Sequence, residues 1–127
     1  MKALVTGGGG FLGSRLALAL VARGDAVASY SRGSYPELEA KGVRQIQGDL
    51  ADRDAVRRAI RGSDVVFHVA AKAGIFGDPK EFWRTNVEGT RNVLAGCLAA
   101  KVKRLVLTSS PSAVSYTHLT LPTILRV

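Results

Sequence analysis

The chain has 127 residues and 13.4 kDa, 46% hydrophobic and 22% charged, enough to bury about two thirds of its unfolded surface as one modest domain, which excludes a chain disordered throughout and leaves little room for two domains. The net charge of +8 is uneven: residues 1–88 hold 13 Lys/Arg against 10 Asp/Glu, residues 89–127 hold 5 and none, and no basic stripe interleaved with aromatics points to nucleic acid. One cysteine, Cys97, cannot close an internal disulfide, and His68 and His118 add too few ligands for a metal centre.

Residues 2–6 (KALVT) form a short apolar run ending in glycines, the pattern of a buried strand. A helix is predicted over 11–23, with Gly24 at the C-terminal cap. Residues 26–31 make the next strand, and Ser34-Tyr35-Pro36-Glu37 resembles a capping box opening a short helix that ends near Gly42. A third strand, 43–47, is closed by Gly48-Asp49-Leu50. Asp52 then caps a helix to Arg61, with Val56, Ala59 and Ile60 inward and Arg53, Arg57, Arg58 and Arg61 on a solvated face. A fourth strand spans 64–69. Asp78-Pro79-Lys80-Glu81 offers an N-cap, a proline at the first helical position and a carboxylate three residues after the cap, which predicts a long helix over 78–100. Residues 104–108 (RLVLT) are the fifth strand.

Strands alternating with helices imply parallel pairing through right-handed crossovers. The predicted fold is α/β, a Rossmann-like doubly wound parallel sheet covered on both faces and truncated after the fifth strand. Ligands of such sheets sit beyond the carboxyl ends of the strands. Those ends hold the unusual residues: 7–13, Ser31-Arg32, Asp49-Leu50, 69–72 and 108–110.

Thr6-Gly7-Gly8-Gly9-Gly10-Phe11-Leu12-Gly13 joins strand directly to helix. Gly7 permits a tight turn, Gly10 lets backbone approach a pyrophosphate without a Cβ in the way, and Gly13 lets the helix pack close to the strand. The helix N-terminus then faces the anion with free N–H groups. A flexible turn is the plainer alternative for a glycine run, but a strand before it and a helix after it favour a dinucleotide.

This motif, with Gly48-Asp49-Leu50, Val69-Ala70-Ala71, Asn86-Val87-Glu88-Gly89-Thr90 and Thr108-Ser109-Ser110, resembles the extended short-chain dehydrogenase/reductases. Within them His68-Val69-Ala70-Ala71-Lys72-Ala73-Gly74 and Thr108-Ser109-Ser110-Pro111-Ser112 are most similar to the 3β-hydroxysteroid dehydrogenase-like branch, and there to the bacterial 2-alkyl-3-oxoalkanoate reductases. The resemblance covers residues 1–114, about the first third of a family member. It implies an NAD(P)-binding domain over 1–114.

It also implies roles. Gly7, Gly10, Phe11, Leu12 and Gly13 would cradle the pyrophosphate, and Asp49 would accept from the adenine amino group beside the Leu50 backbone, unless it only caps its loop. Val69, Ala70 and Ala71 would let the chain pass close to the ribose. Asn86 would lie near the nicotinamide half, or serve as a local backbone partner; Lys72 would approach the cofactor or remain solvated. Thr108 and Ser109 close the fifth strand beside the cofactor, and Ser110 best matches the catalytic serine, with Ser109 next and an ordinary turn as the alternative. His68 is expected to be a satisfied core histidine and Cys97 to be packed.

At the second strand's end, an NAD-binding protein would place Asp or Glu against the ribose hydroxyls. This chain has Ser31 and Arg32. A hydroxyl and a guanidinium suit a 2′-phosphate, so NADP is expected over NAD, the alternative being an arginine that is merely exposed.

The family's catalysis uses Ser or Thr with Tyr-x-x-x-Lys. No such pair follows: Tyr116 has Thr120 at the fourth place, and Tyr30 and Tyr35 precede the active-site strands. Residues 115–127 lack glycine, acids and any helix-strand continuation. They resemble translated sequencing-adapter DNA, so this stretch is expected to be a non-native or disordered tail on a truncated reading frame. Such a chain would bind cofactor without turnover, expose apolar edge and associate. The expected activity of the intact protein is ketone/secondary-alcohol interconversion on a small-molecule substrate. The alternatives are a sugar-nucleotide epimerase or dehydratase and a non-catalytic dinucleotide-binding regulator; Thr6-Gly7 and Thr108-Ser109-Ser110 argue against an S-adenosylmethionine methyltransferase. Apolar runs at 16–22 and 65–71 fall short of the roughly 18 residues of a membrane span, and no cationic leader precedes an apolar core, so a cytoplasmic protein without a membrane partner is expected. The resemblance further implies a homodimer through the helix 78–100.

Overall fold

The computed structural model of the chain describes residues 1–69, 80, 83–108 and the backbone of 124–126. Chain order is β1 (Lys2–Thr6), α1 (Phe11–Ala22), β2 (Ala26–Ser31), α2 (Pro36–Ala40), β3 (Val43–Gln47), α3 (Arg53–Ile60), β4 (Val65–His68), a π-helical segment (Arg84–Glu88) running into α4 (Gly89–Ala100), β5 (Arg104–Leu107) and β6 (Ile124–Arg126). The sheet order is β3-β2-β1-β4-β5-β6 and every pairing is parallel. This is the Rossmann-like sheet expected from the strand–helix alternation, and the strand order switches direction between β1 and β4.

Alternation along β1 sorts the core. Ala3 and Val5 face a cluster with Ala17 and Leu20 of α1, Leu38 of α2, Val27, Val43 and Val65. Leu4 points the other way, into Tyr30, Leu50, Val56, Ile60, Val66, Val93, Cys97, Val102 and Leu105. A strand buried on both faces must be apolar at every position, which is why KALVT shows no polar alternation after Lys2. The α3–α4 contact is close because a Cβ on Gly96 would sit 2.8 Å from Ile60 Cδ1. Cys97 is packed in this layer, 1% exposed, and burial pushes its thiol up to about 12.

Local signals acted as the residue chemistry dictates. Asp52 accepts from the Ala55 amide at 3.1 Å, and Gly24 takes φ +98° just past α1. Three expectations need correction. Ser34 does not cap α2: the N-cap is Tyr35, without a side-chain cap bond, and Pro36 opens the helix. The helix toward Ala100 is not uniformly α, because residues 84–88 take the wider π geometry; Asp78, Pro79 and Glu81 lie outside the described residues. The sheet does not stop at β5. A three-residue strand within 115–127 pairs with it, Leu105 opposite Ile124 and Leu107 opposite Arg126, in a stretch with no turn signal or apolar alternation long enough to announce a strand.

Candidate cofactor site

Parallel pairing brings the strand ends side by side, with Thr6 opposite both Tyr30 and His68, Ser31 opposite Gln47, and His68 opposite Leu107. Everything placed just after those residues converges on one edge of the sheet.

The glycine loop is built from steric necessity. Gly7 adopts φ +75°, and its amide donates to the Tyr30 carbonyl at 3.0 Å, so the chain turns while still bound to β2. Its carbonyl accepts from the Gly10 amide at 3.0 Å. A Cβ on Gly13 would run into that same carbonyl and approach the Gly7 carbonyl carbon to 2.8 Å. Gly10 differs: a Cβ there would meet only Gly7 O, at 3.5 Å. The first turn of α1 therefore abuts open space at Gly10. Gly10 provides no side-chain cap and no acidic residue occupies that turn, so the leading amides and the positive end of the helix dipole are left for an external anion. These residues fit a diphosphate. Phe11 and Leu12 are exposed, and the Arg15 guanidinium lies 4.3 Å from the Phe11 ring centroid.

Tyr35 braces this loop, an arrangement the sequence did not announce. A Cβ on Gly9 would strike its ring, and one on Gly33 would come within 2.9 Å of its hydroxyl. The tyrosine ring thus links the glycine loop to the turn after β2.

At the ends of β2 and β3 the charged residues meet. The Asp49 carboxylate takes the Ala51 amide at 2.9 Å, Arg32 Nη2 at 3.6 Å and Arg84 Nη2 at 3.3 Å. Asp49 therefore does cap its loop, and also binds two guanidiniums. Arg32 reaches Thr85 Oγ1 at 3.4 Å, and its carbonyl accepts from the Gln47 amide group at 2.8 Å. Ser31 Oγ donates to the Gly33 carbonyl at 3.3 Å. Arg84 was not read from the sequence as a site residue; nothing in its local pattern shows that the chain returns it to Asp49. Leu50 is buried, and its carbonyl accepts from the Asn92 side chain at 2.8 Å.

Tyr30 is 1% exposed, its hydroxyl donates to the Asp49 carbonyl at 2.6 Å, and desolvation, with Asp52 and Asp49 nearby, pushes it up to about 12. It is fastened to the loop as a structural donor. A Cβ on Gly48 would meet its hydroxyl at 2.5 Å, which accounts for glycine before Asp49.

The centre of the edge is a chain of hydrogen bonds with one consistent polarity. The Val69 amide donates to Thr6 Oγ1 at 3.1 Å, and the Thr90 hydroxyl donates to the Asn86 carbonyl at 2.6 Å. Thr90 Oγ1 must then accept from His68 Nε2, 3.1 Å away, leaving Nδ1 to accept the Thr6 hydroxyl at 2.8 Å. His68 is a satisfied core histidine, and burial holds it down to about 4. Through it the glycine-loop strand is tied to the π-helical segment that carries half-buried Asn86. Thr108 is exposed, its amide donating to the His68 carbonyl at 3.2 Å. Ala70, Ala71, Lys72, Ser109 and Ser110 lie outside the described residues. Among the described residues no group of three or more His, Cys, Asp or Glu could hold a metal, and no helix is long and apolar enough to cross a membrane.

Comparison with known proteins agrees with this geometry. The 3-beta hydroxysteroid dehydrogenase/isomerase family matches residues 4–121. The chain is 54% identical over 112 residues to a 2-alkyl-3-oxoalkanoate reductase of Stenotrophomonas maltophilia, covering 88% of this chain and 34% of that protein. It is 50% identical over 110 residues to one of Shewanella oneidensis, covering 87% and 28%. The chain thus spans about a third of the length of these relatives. Among solved structures, a Thermus thermophilus UDP-glucose 4-epimerase in complex with NAD superposes with TM-score 0.78 at 37% identity, over 87% of this chain and 38% of that one. A family match over nearly the whole chain, on a sheet whose switch point carries the glycine loop, makes this chain a member of the 3-beta hydroxysteroid dehydrogenase/isomerase family.

Proposed function

We propose that the chain is the cofactor-binding portion of an NADP-dependent oxidoreductase that interconverts a ketone and a secondary alcohol, with a 2-alkyl-3-oxoalkanoate-like β-keto acid as the substrate class. The observation that carries the cofactor reading is the uncapped start of α1 facing open space at Gly10, with Arg32 rather than a carboxylate just past β2. The substrate class rests on the 54% and 50% identities to reductases of that name.

In this reading a nicotinamide dinucleotide, when bound, would supply hydride chemistry. The chain's own residues bind and orient. The amides at the start of α1 hold the diphosphate, and the Asp49 loop borders the adenine. Arg32 forms charge-assisted bonds to a phosphate on the adenosine ribose. The His68 network keeps the π-helical segment, and with it Asn86, at a fixed distance from the loop. Ser110 orients the substrate carbonyl. The family's proton partner, a Tyr-x-x-x-Lys pair, does not occur among these 127 residues.

Titrating NADPH and NADH into the wild-type chain and Arg32→Ala tests this. NADPH should bind at least about tenfold more tightly than NADH to the wild type, and Arg32→Ala should abolish the difference. Equal NADPH affinity in both proteins would end the NADP assignment.

A further inference from the structure

Ser29, on β2, is 0% exposed, and its hydroxyl has no hydrogen-bond partner among the described residues. A Cβ on Gly8 would run into that hydroxyl and lie 2.6 Å from Ser29 Cβ, so the side chain points up into the glycine loop. We infer that Ser29 is a positioning residue for the cofactor diphosphate: with the anion bound, its hydroxyl donates to the Gly8 carbonyl and so holds the Gly9 amide turned toward the anion. The inference rests on the cofactor reading above and deepens it.

Three observations carry it. The first is the orphaned group itself. A buried hydroxyl without a partner destabilises a fold, and an alanine in its place would not, so packing of the free chain does not account for a serine here. The second is where it stands. Ser29 is opposite Val5 in the β1–β2 register and two residues from Val27, both of which pack toward Ala17 and Leu20 of α1. The hydroxyl therefore lies on the α1 face of the sheet, beneath the turn that leads into the uncapped, acid-free first turn of α1.

The third observation is the freedom left to the loop. Its ends are fixed, by the Gly7 amide on the Tyr30 carbonyl and the Gly10 amide on the Gly7 carbonyl, and the Tyr35 ring stands against Gly9. Gly8 has no positive φ, so it is Ser29 that excludes a side chain there. Between fixed ends, the motion that remains is rotation of the Gly8–Gly9 peptide plane, which two glycines permit. The carbonyl and the N–H of one planar peptide point opposite ways. Turning the Gly9 N–H outward to a diphosphate thus turns the Gly8 carbonyl inward, onto the Ser29 hydroxyl. One other acceptor competes for that hydroxyl. Gln45 stands opposite Ser29 in the β2–β3 register, and its buried Oε1 also has no partner among the described residues.

The test uses the 127-residue chain as wild type, Ser29→Ala and Gln45→Met, with thermal melts, NADPH calorimetry and amide hydrogen exchange. Ser29→Ala should melt about 2 °C or more above the wild type yet bind NADPH about fivefold or more weakly, opposite shifts that loss of a merely structural group does not produce. NADPH should protect the Gly9 amide from exchange in the wild type and in Gln45→Met, and fail to do so in Ser29→Ala. Wild-type NADPH affinity and Gly9 protection in Ser29→Ala would overturn the role of Ser29 and leave the cofactor reading standing. A Ser29→Ala chain less stable than the wild type would overturn it too, as would a Gln45→Met chain that shows the same losses of affinity and protection. A wild type that does not bind NADPH would overturn the cofactor reading itself.

Discussion

His68 Nδ1 accepts the Thr6 hydroxyl at 2.8 Å, and this contact joins β4 to the last residue before the glycine loop. Because the imidazole is 6% exposed and burial holds it down to about 4, its neutral form belongs to the folded state. The unfolded chain takes up a proton near pH 6.5, the folded one only near pH 4, so this contribution is complete above pH 6.5 and is lost as pH falls toward 4. The contribution is on the order of 3 kcal/mol. Urea unfolding at pH 7.5, 6 and 5 should show the wild type losing stability with acidification more steeply than His68→Gln. Parallel slopes would contradict this.

Gly10 and Gly13 separate binding from folding. Gly13→Ala forces a Cβ into the Gly7 carbonyl and should destabilise by about 3 kcal/mol or prevent folding. Gly10→Ala has 3.5 Å to its nearest neighbour and φ −77°, so its cost should stay near about 1 kcal/mol while the methyl occupies the space of the diphosphate. Thermal melts with NADPH titrations should show Gly10→Ala folded and binding at least about tenfold more weakly.

Lys101 closes α4 in the left-handed region, φ 55° and ψ 43°, a conformation that glycine adopts without steric cost. Lys101→Gly should stabilise the chain by about 0.5–1 kcal/mol without altering cofactor affinity. Denaturant midpoints and a parallel NADPH titration check both halves.

What the sequence displayed of this architecture was whatever local chemistry encodes. Lys2–Thr6, Val43–Gln47 and the apolar positions of α3 stand where their patterns require, because each strand or helix must bury its own face. Asp52 and Gly24 act at their helix ends through bonds to adjacent backbone. The capping role expected of Ser34 fell to Tyr35, whose ring is engaged by Gly9 and Gly33, contacts invisible in the tetrapeptide. The meeting of Arg84 with Asp49, and of Thr90 with His68, spans 35 and 22 residues. Such pairs follow from the crossover of β4 into α4, and no spacing rule reports them. The π geometry at 84–88 had no local signal either; Thr90, just beyond it in α4, donates to the Asn86 carbonyl and meets His68.

Backbone amide shifts of the isotopically labelled chain during NADPH titration give the most direct test of where the cofactor sits. The account predicts that the amides of Gly10, Phe11, Leu12 and Gly13 move first and furthest, with those of Arg32 and Ala51 following. A titration that leaves the start of α1 unmoved while another surface responds would contradict it.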